Sequence, residues 1–419
     1  MKYGLIGEHL PHSFSKEIHA RIADYTYELF EIAKGDLDGF MRKKDFIAIN
    51  VTIPYKKDVI PYLSVIDENA KRIGAVNTIV NRDGRLFGYN TDFFGMCALI
   101  RRIGVDLAGR KVAILGTGGT SNTAIAVCEA LGAKKTVVVG RTAKSGVISY
   151  EDLYRDHTDV EYIINTTPCG MYPYPDGTNG MAATPVALSA FPALVGVMDA
   201  VYNPLRTNLI MDAKERGIPA EGGLYMLVAQ AVVAAEKFTD GNFDPSMTDR
   251  IFDEILASKE NIVLSGMPGS GKSTVGKYLA EKLQRKFIDT DEQIVKQTGK
   301  EITEIFAEVG NDGFRKIEAE VISRVSSENS GAVIATGGGA ILRDDNVRAL
   351  RRNGRIYFLN RPLENIVPTA DRPLALDRAA LEARFRERYA RYLATCDKEI
   401  RTVESPAQTA NMITEDFFK

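Results

Sequence analysis

No two of the four cysteines, Cys97, Cys128, Cys169 and Cys396, are close enough to make a CxxC pair, which excludes a zinc ribbon or a disulfide framework and predicts free thiols. Charge of one sign is also lacking: 53 Lys and Arg face 55 Asp and Glu, so no basic footprint exists for nucleic acid or an anionic membrane. The opening MKYGLIG contains no apolar stretch of signal-peptide length, and no run in the chain approaches a membrane span. Internal repeats and low-complexity segments are absent. Together these gaps predict a cytoplasmic protein without a nucleic-acid or membrane partner. At 419 residues the chain exceeds what one hydrophobic core usually serves, so two or three domains are expected.

Short apolar runs (YGLIG, YTYELF, FIAINVTI, AVNTIV) alternate with charged, helix-like stretches such as IPYLSVIDENAKRI up to about Asp92, the pattern of an α/β unit. From Lys111 the pattern changes. KVAILG, TSNTAIAVCEALGA and KTVVVGR read as strand, helix and strand, the opening of a doubly wound parallel sheet, and further strands are predicted at VEYIINTT and LVGVMDAV. GLYMLVAQAVVAAEKF and TDRIFDEILA read as helices, the second ending near Ala257. A fresh strand, NIVLSG, is predicted from Asn261, leaving a linker of about four residues.

Two glycine-rich loops of different design stand out. In GTGGT, Gly116, Thr117, Gly118, Gly119 and Thr120 follow a strand and open a helix, where backbone N–H groups and the helix dipole suit a pyrophosphate, although GxGGx also occurs in unrelated turns. The end of the next strand reads GRTAKS. An NAD enzyme would place an acid there to hold the ribose hydroxyls. Arg141, Thr142 and Lys144 instead offer two cations and a hydroxyl, so NADP is preferred.

The segments GLIGEHLPHSFSKEIH, NVTIPYKKDV, GAVNTIV, GYNTD, NTTPCGM, DAVYNPLRT and GLYMLVAQA, in this order over residues 1 to 255, resemble shikimate dehydrogenase. The resemblance implies a substrate lobe (1–98, with a return helix at 245–257) and a Rossmann-type NADP lobe (99–238). Substrate-contact roles are implied for Ser13 and Ser15, taken as two hydroxyls on one face of an extended segment, and for Thr52, Asn77, Tyr202 and Gln230. Lys56 and Asp92 match the paired catalytic groups, and Gly223 a cofactor-binding position. Taken singly, a lysine in a PYKK turn reads as a solvated surface residue. His12 and His19 are assigned no chemistry. The family commonly has Asn where Gly140 stands, which bears on the strength of the NADP preference.

The second loop, GMPGSGKS, satisfies G-x-x-x-x-G-K-[ST] from Gly266 to Ser273, between a predicted strand and a helix with Val275, Leu279 and Leu283 on one face. Gly269, Ser270, Gly271, Lys272, Ser273 and Thr274 are therefore expected to hold ATP, with Lys272 on the β/γ oxygens and Ser273 on magnesium. Asp289 and Asp291 in FIDTDEQI lie two apart at the end of a predicted strand, so both can face the cleft mouth. Followed by GFRKIE, IATGGGAI, TADRPL and RYARY, the series over residues 261 to 400 resembles shikimate kinase, a P-loop fold on a parallel sheet (258–419). By that match Asp291 orients the accepting hydroxyl and Asp289 supports Mg2+. Arg315 and Arg388, with the backbone at Gly338, hold the substrate carboxylate, and Arg372 neutralises transition-state charge. Lys316 and Arg391 read as solvated cations. IVPTAD stands where the family often has a further lid arginine.

The two resemblances imply an NADP-dependent reductase of 3-dehydroshikimate fused to an ATP-dependent kinase of shikimate, two consecutive steps towards aromatic amino acids. The alternatives are a quinate-type dehydrogenase fused to a kinase for another hydroxy acid such as gluconate, or a metabolite sensor in which one half has lost its chemistry.

Overall fold

The computed structural model describes residues 2–10, 13–173, 183–366, 378–403 and 405–419, and the chain divides into two units, Met1–Ile255 and Leu256–Lys419. The first unit holds two six-stranded sheets. One runs in the order Tyr27–Glu31, Tyr3–Gly7, Ala48–Val51, Thr78–Arg82, Arg85–Tyr89, Val65–Ile66, and is mixed because the third to fifth of these pair antiparallel. The other is wholly parallel, in the order Ala220–Glu221, Gly196–Asp199, Tyr162–Asn165, Lys111–Leu115, Lys135–Gly140, Ile148–Ser149. Chain order in this second sheet reverses at Lys111–Leu115, and a doubly wound sheet takes its ligand at the carboxyl ends beside such a reversal.

The IPYLSVIDENAKRI stretch is not one helix. It breaks into a 3-10 turn Ile60–Tyr62, the strand Val65–Ile66 and a helix Glu68–Ile73, which starts where the Asp67 carboxylate accepts from the Ala70 N–H at 2.8 Å. Apolar residues at the strand's edge and a capping aspartate outweigh the run's helical periodicity. Helix Asp92–Ile103 leaves the first sheet and packs against Leu224–Thr239. Close approach is possible because Gly95 lies against the second helix: a Cβ there would stand 2.6 Å from the Met226 carbonyl oxygen.

The second unit is built on a five-stranded parallel sheet in the order Phe287–Asp289, Val333–Ala335, Asn261–Ser265, Gly354–Asn360, Lys398–Arg401. Its central strand is buried throughout, which is why NIVLS is almost continuously apolar. The expected four-residue linker does not exist. Helix Met247–Lys259 runs two residues past Ala257, and Glu260 alone separates it from the strand. Glu260 is fully buried and accepts from Arg355 Nη2 at 3.0 Å, so the residue is anchored inside the second unit and does not act as a spacer.

Candidate active sites

In the first unit, Lys56 follows strand Ala48–Val51 and Asp92 opens helix Asp92–Ile103, yet their side chains meet: Lys56 Nζ donates to Asp92 Oδ2 at 2.6 Å. Only 22% and 14% of the two side chains are exposed, so this is a largely desolvated pair and not a surface ion pair. The Val76 N–H donates to the Lys56 carbonyl at 2.8 Å, which fixes the lysine beside Asn77. Asn77 Oδ1 accepts from the Thr91 N–H at 2.7 Å, and its Nδ2 donates to Thr91 Oγ1 at 3.1 Å and to Gln230 Oε1 at 3.4 Å. Thr91 Oγ1 also donates to Gln230 Oε1 at 3.2 Å. Lys56, Asn77, Asp92 and Gln230 therefore converge from different elements. Thr91, which joins Asn77 to Gln230 and precedes Asp92, was not singled out as a site residue; its place inside GYNTD was the available signal.

The predicted serine pair has a different geometry. Ser15 is the first residue of helix Ser15–Ile22, not part of an extended segment, and its N–H donates to Ser13 Oγ at 3.3 Å. The Ser13 hydroxyl thus accepts from the first N–H of the helix, whose N-cap residue is Phe14. Phe14, between the serines, meets the Tyr202 ring edge-on at 5.3 Å, which brings Tyr202 to this segment. Thr52 lies against Gly7, where a Cβ would come within 2.8 Å of its Cγ2. His19 is buried, stacks on Tyr27 at 3.8 Å and bonds Tyr25 Oη through Nδ1 at 2.7 Å, and burial pulls its pKa down to about 3. His12 lies outside the described residues.

At the cofactor loop, Gly116 takes a φ of +113° and presses on Thr166, while positions 118 and 119 have no atom within 4 Å of a notional Cβ. The loop is thus tightly seated at its start and open at the N-terminus of helix Gly119–Ala130, the shape an anionic phosphate group needs. Arg141 and Lys144 are exposed beyond the neighbouring strand, and the pairing of Lys144 with Val147 folds Val147 over Gly140. A Cβ at Gly140 would stand 2.9 Å from Val147 Cγ1 and 3.1 Å from Thr117 Cγ2, which accounts for the glycine at this position. Gly223 caps helix Leu224–Thr239, its N–H donating to the Val201 carbonyl at 2.9 Å, and a Cβ there would overlap the Ala200 carbonyl oxygen. Gly223→Ala is expected to destabilise the protein by about 1–3 kcal/mol through overpacking, read as a lower urea midpoint by circular dichroism. Asp199 is a further buried group, satisfied by Asn165 Nδ2 at 2.9 Å, the Val201 N–H at 3.0 Å and Thr207 Oγ1 at 2.7 Å; burial outweighs these bonds and raises its pKa to about 6.

In the second unit a cavity of about 390 Å3 opens at the carboxyl end of the central strand. The phosphate loop forms one wall. Gly266, Gly269 and Gly271 take φ values of +146°, +83° and +93°, and Lys272 Nζ donates to the carbonyls of Gly266 and Met267, both at 2.9 Å. Ser270 Oγ is buried without a partner among the described residues. Ser273 Oγ donates to Asp289 Oδ2 at 2.7 Å, which places a hydroxyl and a carboxylate together for a cation. Asp291 is not on the strand with Asp289. The Asp289 carboxylate accepts from the Asp291 N–H at 3.0 Å and caps helix Thr290–Thr298, so Asp291 belongs to that helix's first turn. Burial first, then the Asp289 charge, pushes Asp291 up to about 6.

The glycine triplet of IATGGGAI forms the floor between these groups. A Cβ at Gly337 would stand 2.7 Å from Asp291 Oδ1, one at Gly338 2.7 Å from Pro268 Cδ, and one at Gly339 would overlap the Arg315 guanidinium. Arg315 pairs with Glu318 at 2.7 Å, and Glu318 is 1% exposed. Arg388 Nη1 and Tyr392 Oη both donate to the Gly338 carbonyl, at 3.3 and 2.5 Å. Among the cavity's lining groups, the cations Lys272, Arg315, Arg361, Arg384 and Arg388 face the carboxylates Asp289, Asp291 and Glu318. The excess of positive charge suits anionic ligands. Glu318, Arg361 and Arg384 were not singled out from sequence; the i,i+3 spacing of Arg315 and Glu318 was a usable sign of their pairing. Arg372 lies outside the described residues. Arg391, read as solvated, donates to the Ile341 carbonyl at 2.8 Å and pairs with Asp344.

Comparison with known proteins adds three findings. Residues 5–79 match the family model of the shikimate dehydrogenase substrate binding domain, and residues 268–417 that of shikimate kinase. A shikimate dehydrogenase (NADP(+)) of Clostridium perfringens (strain SM101 / Type A) is 37% identical over 271 residues, covering 60% of this chain and 97% of that protein. Among solved structures, a chorismate mutase/shikimate 5-dehydrogenase fusion protein from Clostridium acetobutylicum superposes with a TM-score of 0.56 at 35% identity, over 60% of this chain and 96% of the other. Shikimate 5-dehydrogenase from Thermus thermophilus in complex with NADP(H) and shikimate gives 0.54 at 26% identity, over 61% and 99%.

Proposed function

The chain belongs to the shikimate dehydrogenase family and carries a shikimate kinase domain over residues 268–417, and on that premise we propose a bifunctional enzyme that reduces 3-dehydroshikimate to shikimate with NADPH and then phosphorylates shikimate with ATP to shikimate 3-phosphate. One observation carries this reading: two independent matches, one in each half, meet on a single metabolite. In this reading residues 1–98 with 245–257 serve the first substrate, 99–238 serve NADPH, and 258–419 form the kinase.

For the reduction, the open helix N-terminus at Gly118 and Gly119 and the exposed cations Arg141 and Lys144 fit a dinucleotide with a 2'-phosphate, with Thr117, Thr120, Thr142 and Gly223 as its further contacts. NADPH, when bound, supplies the hydride. The Lys56 ammonium gives its proton to the oxygen that becomes the alcohol, and Asp92 at 2.6 Å keeps that ammonium aimed until it does. Asn77 and Gln230 are held for substrate by Thr91, while Ser13, Ser15, Thr52 and Tyr202 supply the remaining polar contacts.

For the phosphorylation, Gly269, Ser270, Gly271 and Thr274 wrap the ATP phosphates and Lys272 exchanges its bonds to the Gly266 and Met267 carbonyls for phosphate oxygens. Ser273 and Asp289 fit Mg2+, a cation that uses few protein ligands alongside phosphate oxygens. Asp291 accepts the hydrogen bond of the reacting hydroxyl. Arg315, Arg388 and the Gly338 backbone hold the carboxylate, and Arg372 is assigned to the transferring phosphoryl group.

A coupled assay with 3-dehydroshikimate, NADPH and MgATP tests the proposal. NADPH oxidation followed by formation of shikimate 3-phosphate is expected, and failure at either step would remove the activity assigned to that half.

A further inference from the structure

Two guanidiniums that line the kinase cavity, Arg361 and Arg384, have no role in the reaction as described, and Arg384 shares a helix with the substrate-binding Arg388. Arg384 sits on helix Arg378–Thr395 one turn before Arg388, so both arginines project from the same face into the cavity. Each has a buried nitrogen without a hydrogen-bond partner among the described residues, Nη1 of Arg384 and Nε of Arg388. Arg315, by contrast, is charge-matched by Glu318. Burial and the charge of Arg388 both disfavour the Arg384 cation, whose pKa they lower. Glu387 and Glu318 offset part of this, and a bound anion between two like charges on one partly buried wall would offset the rest.

We propose that Arg384 is a further substrate-binding residue of the kinase, which clamps the carboxylate of the accepting hydroxy acid together with Arg388. This rests on the reading that Arg315 and Arg388 hold that carboxylate. Arg388 already gives one N–H to the Gly338 carbonyl and Arg315 one to Glu318, so the Arg384 fork adds donors for the several lone-pair positions of a planar carboxylate. Specificity for an acid over the corresponding neutral polyol follows, because loss of the carboxylate leaves two cations facing each other.

Full-length Arg384→Gln and Arg384→Lys, assayed with shikimate and with its uncharged methyl ester, test the inference. The Gln variant is expected to raise KM for shikimate roughly 10- to 100-fold, the range of one charge-assisted hydrogen bond, with kcat and KM for ATP unchanged. Lys should recover part of the loss, since it keeps the charge without the fork. With the ester, wild type and Gln variant should perform alike. An equal penalty for acid and ester, a fall in kcat at constant KM, or a raised KM for ATP would overturn the assignment. Wild-type protein that phosphorylates no shikimate would sink the parent reading first, and is seen before any variant is compared.

Discussion

Lys272→Ala is expected to cut shikimate phosphorylation by about 10²–10³ in kcat or more, the cost of removing one preorganised electrostatic contact from a transition state, while NADPH oxidation proceeds at the wild-type rate. The lysine is 9% exposed and stands in a loop whose three glycines hold left-handed or otherwise glycine-only angles, so its ammonium is fixed in place before ATP arrives. Its present partners, the carbonyls of Gly266 and Met267, belong to the loop itself; removal of the ammonium takes a donor from both, and among the described residues only the Met267 carbonyl keeps a further one, the Ser270 N–H at 3.1 Å. Shikimate-dependent ADP release and dehydroshikimate-dependent NADPH oxidation, measured on one preparation, separate the effects. Loss of both reactions in a folded protein would show that the two sites are not independent.

How much of this was legible in the sequence depends on whether a feature is local. The phosphate loop, the GTGGT turn and the buried parallel strands are encoded in consecutive residues, because glycine spacing and apolar runs act within one turn or one strand. Asp289 and Asp291 were found, but their geometry was misjudged: a two-residue spacing reads as one face of a strand unless the first aspartate is recognised as a helix cap. The extended geometry expected around Ser15 is replaced by a helix start for a similar reason, since a serine that starts a helix looks like any serine in a polar segment. Glu260 was hidden differently. A lone glutamate between a helix and a strand reads as a linker residue, and only the fold places Arg355, 95 positions away, against it. Long-range partners such as Asn77 with Gln230, or Arg384 with the cavity, have no local periodicity to reveal them.

Lys56→Ala is expected to lower the reduction rate by roughly 10²–10⁴ in kcat, the contribution of a positioned general acid, and to leave phosphorylation of added shikimate unchanged. Two roles are compatible with the 2.6 Å pairing to Asp92: delivery of a proton to the developing alkoxide, or stabilisation of its charge alone. Lys56→Arg separates them. A guanidinium retains the charge but does not give up its proton in this pH range, so it can stabilise an alkoxide without protonating it. If proton delivery dominates, the arginine variant should bind shikimate and yet reduce 3-dehydroshikimate as poorly as the alanine variant. Recovery of kcat by arginine would assign the effect to charge. The alanine variant carries a second cost, since Asp92 is only 14% exposed and loses its counter-ion. Binding of shikimate to both variants, followed by titration calorimetry, therefore has to accompany the kinetics: retained binding with lost turnover places the defect in the chemical step, because a collapsed site would lose both.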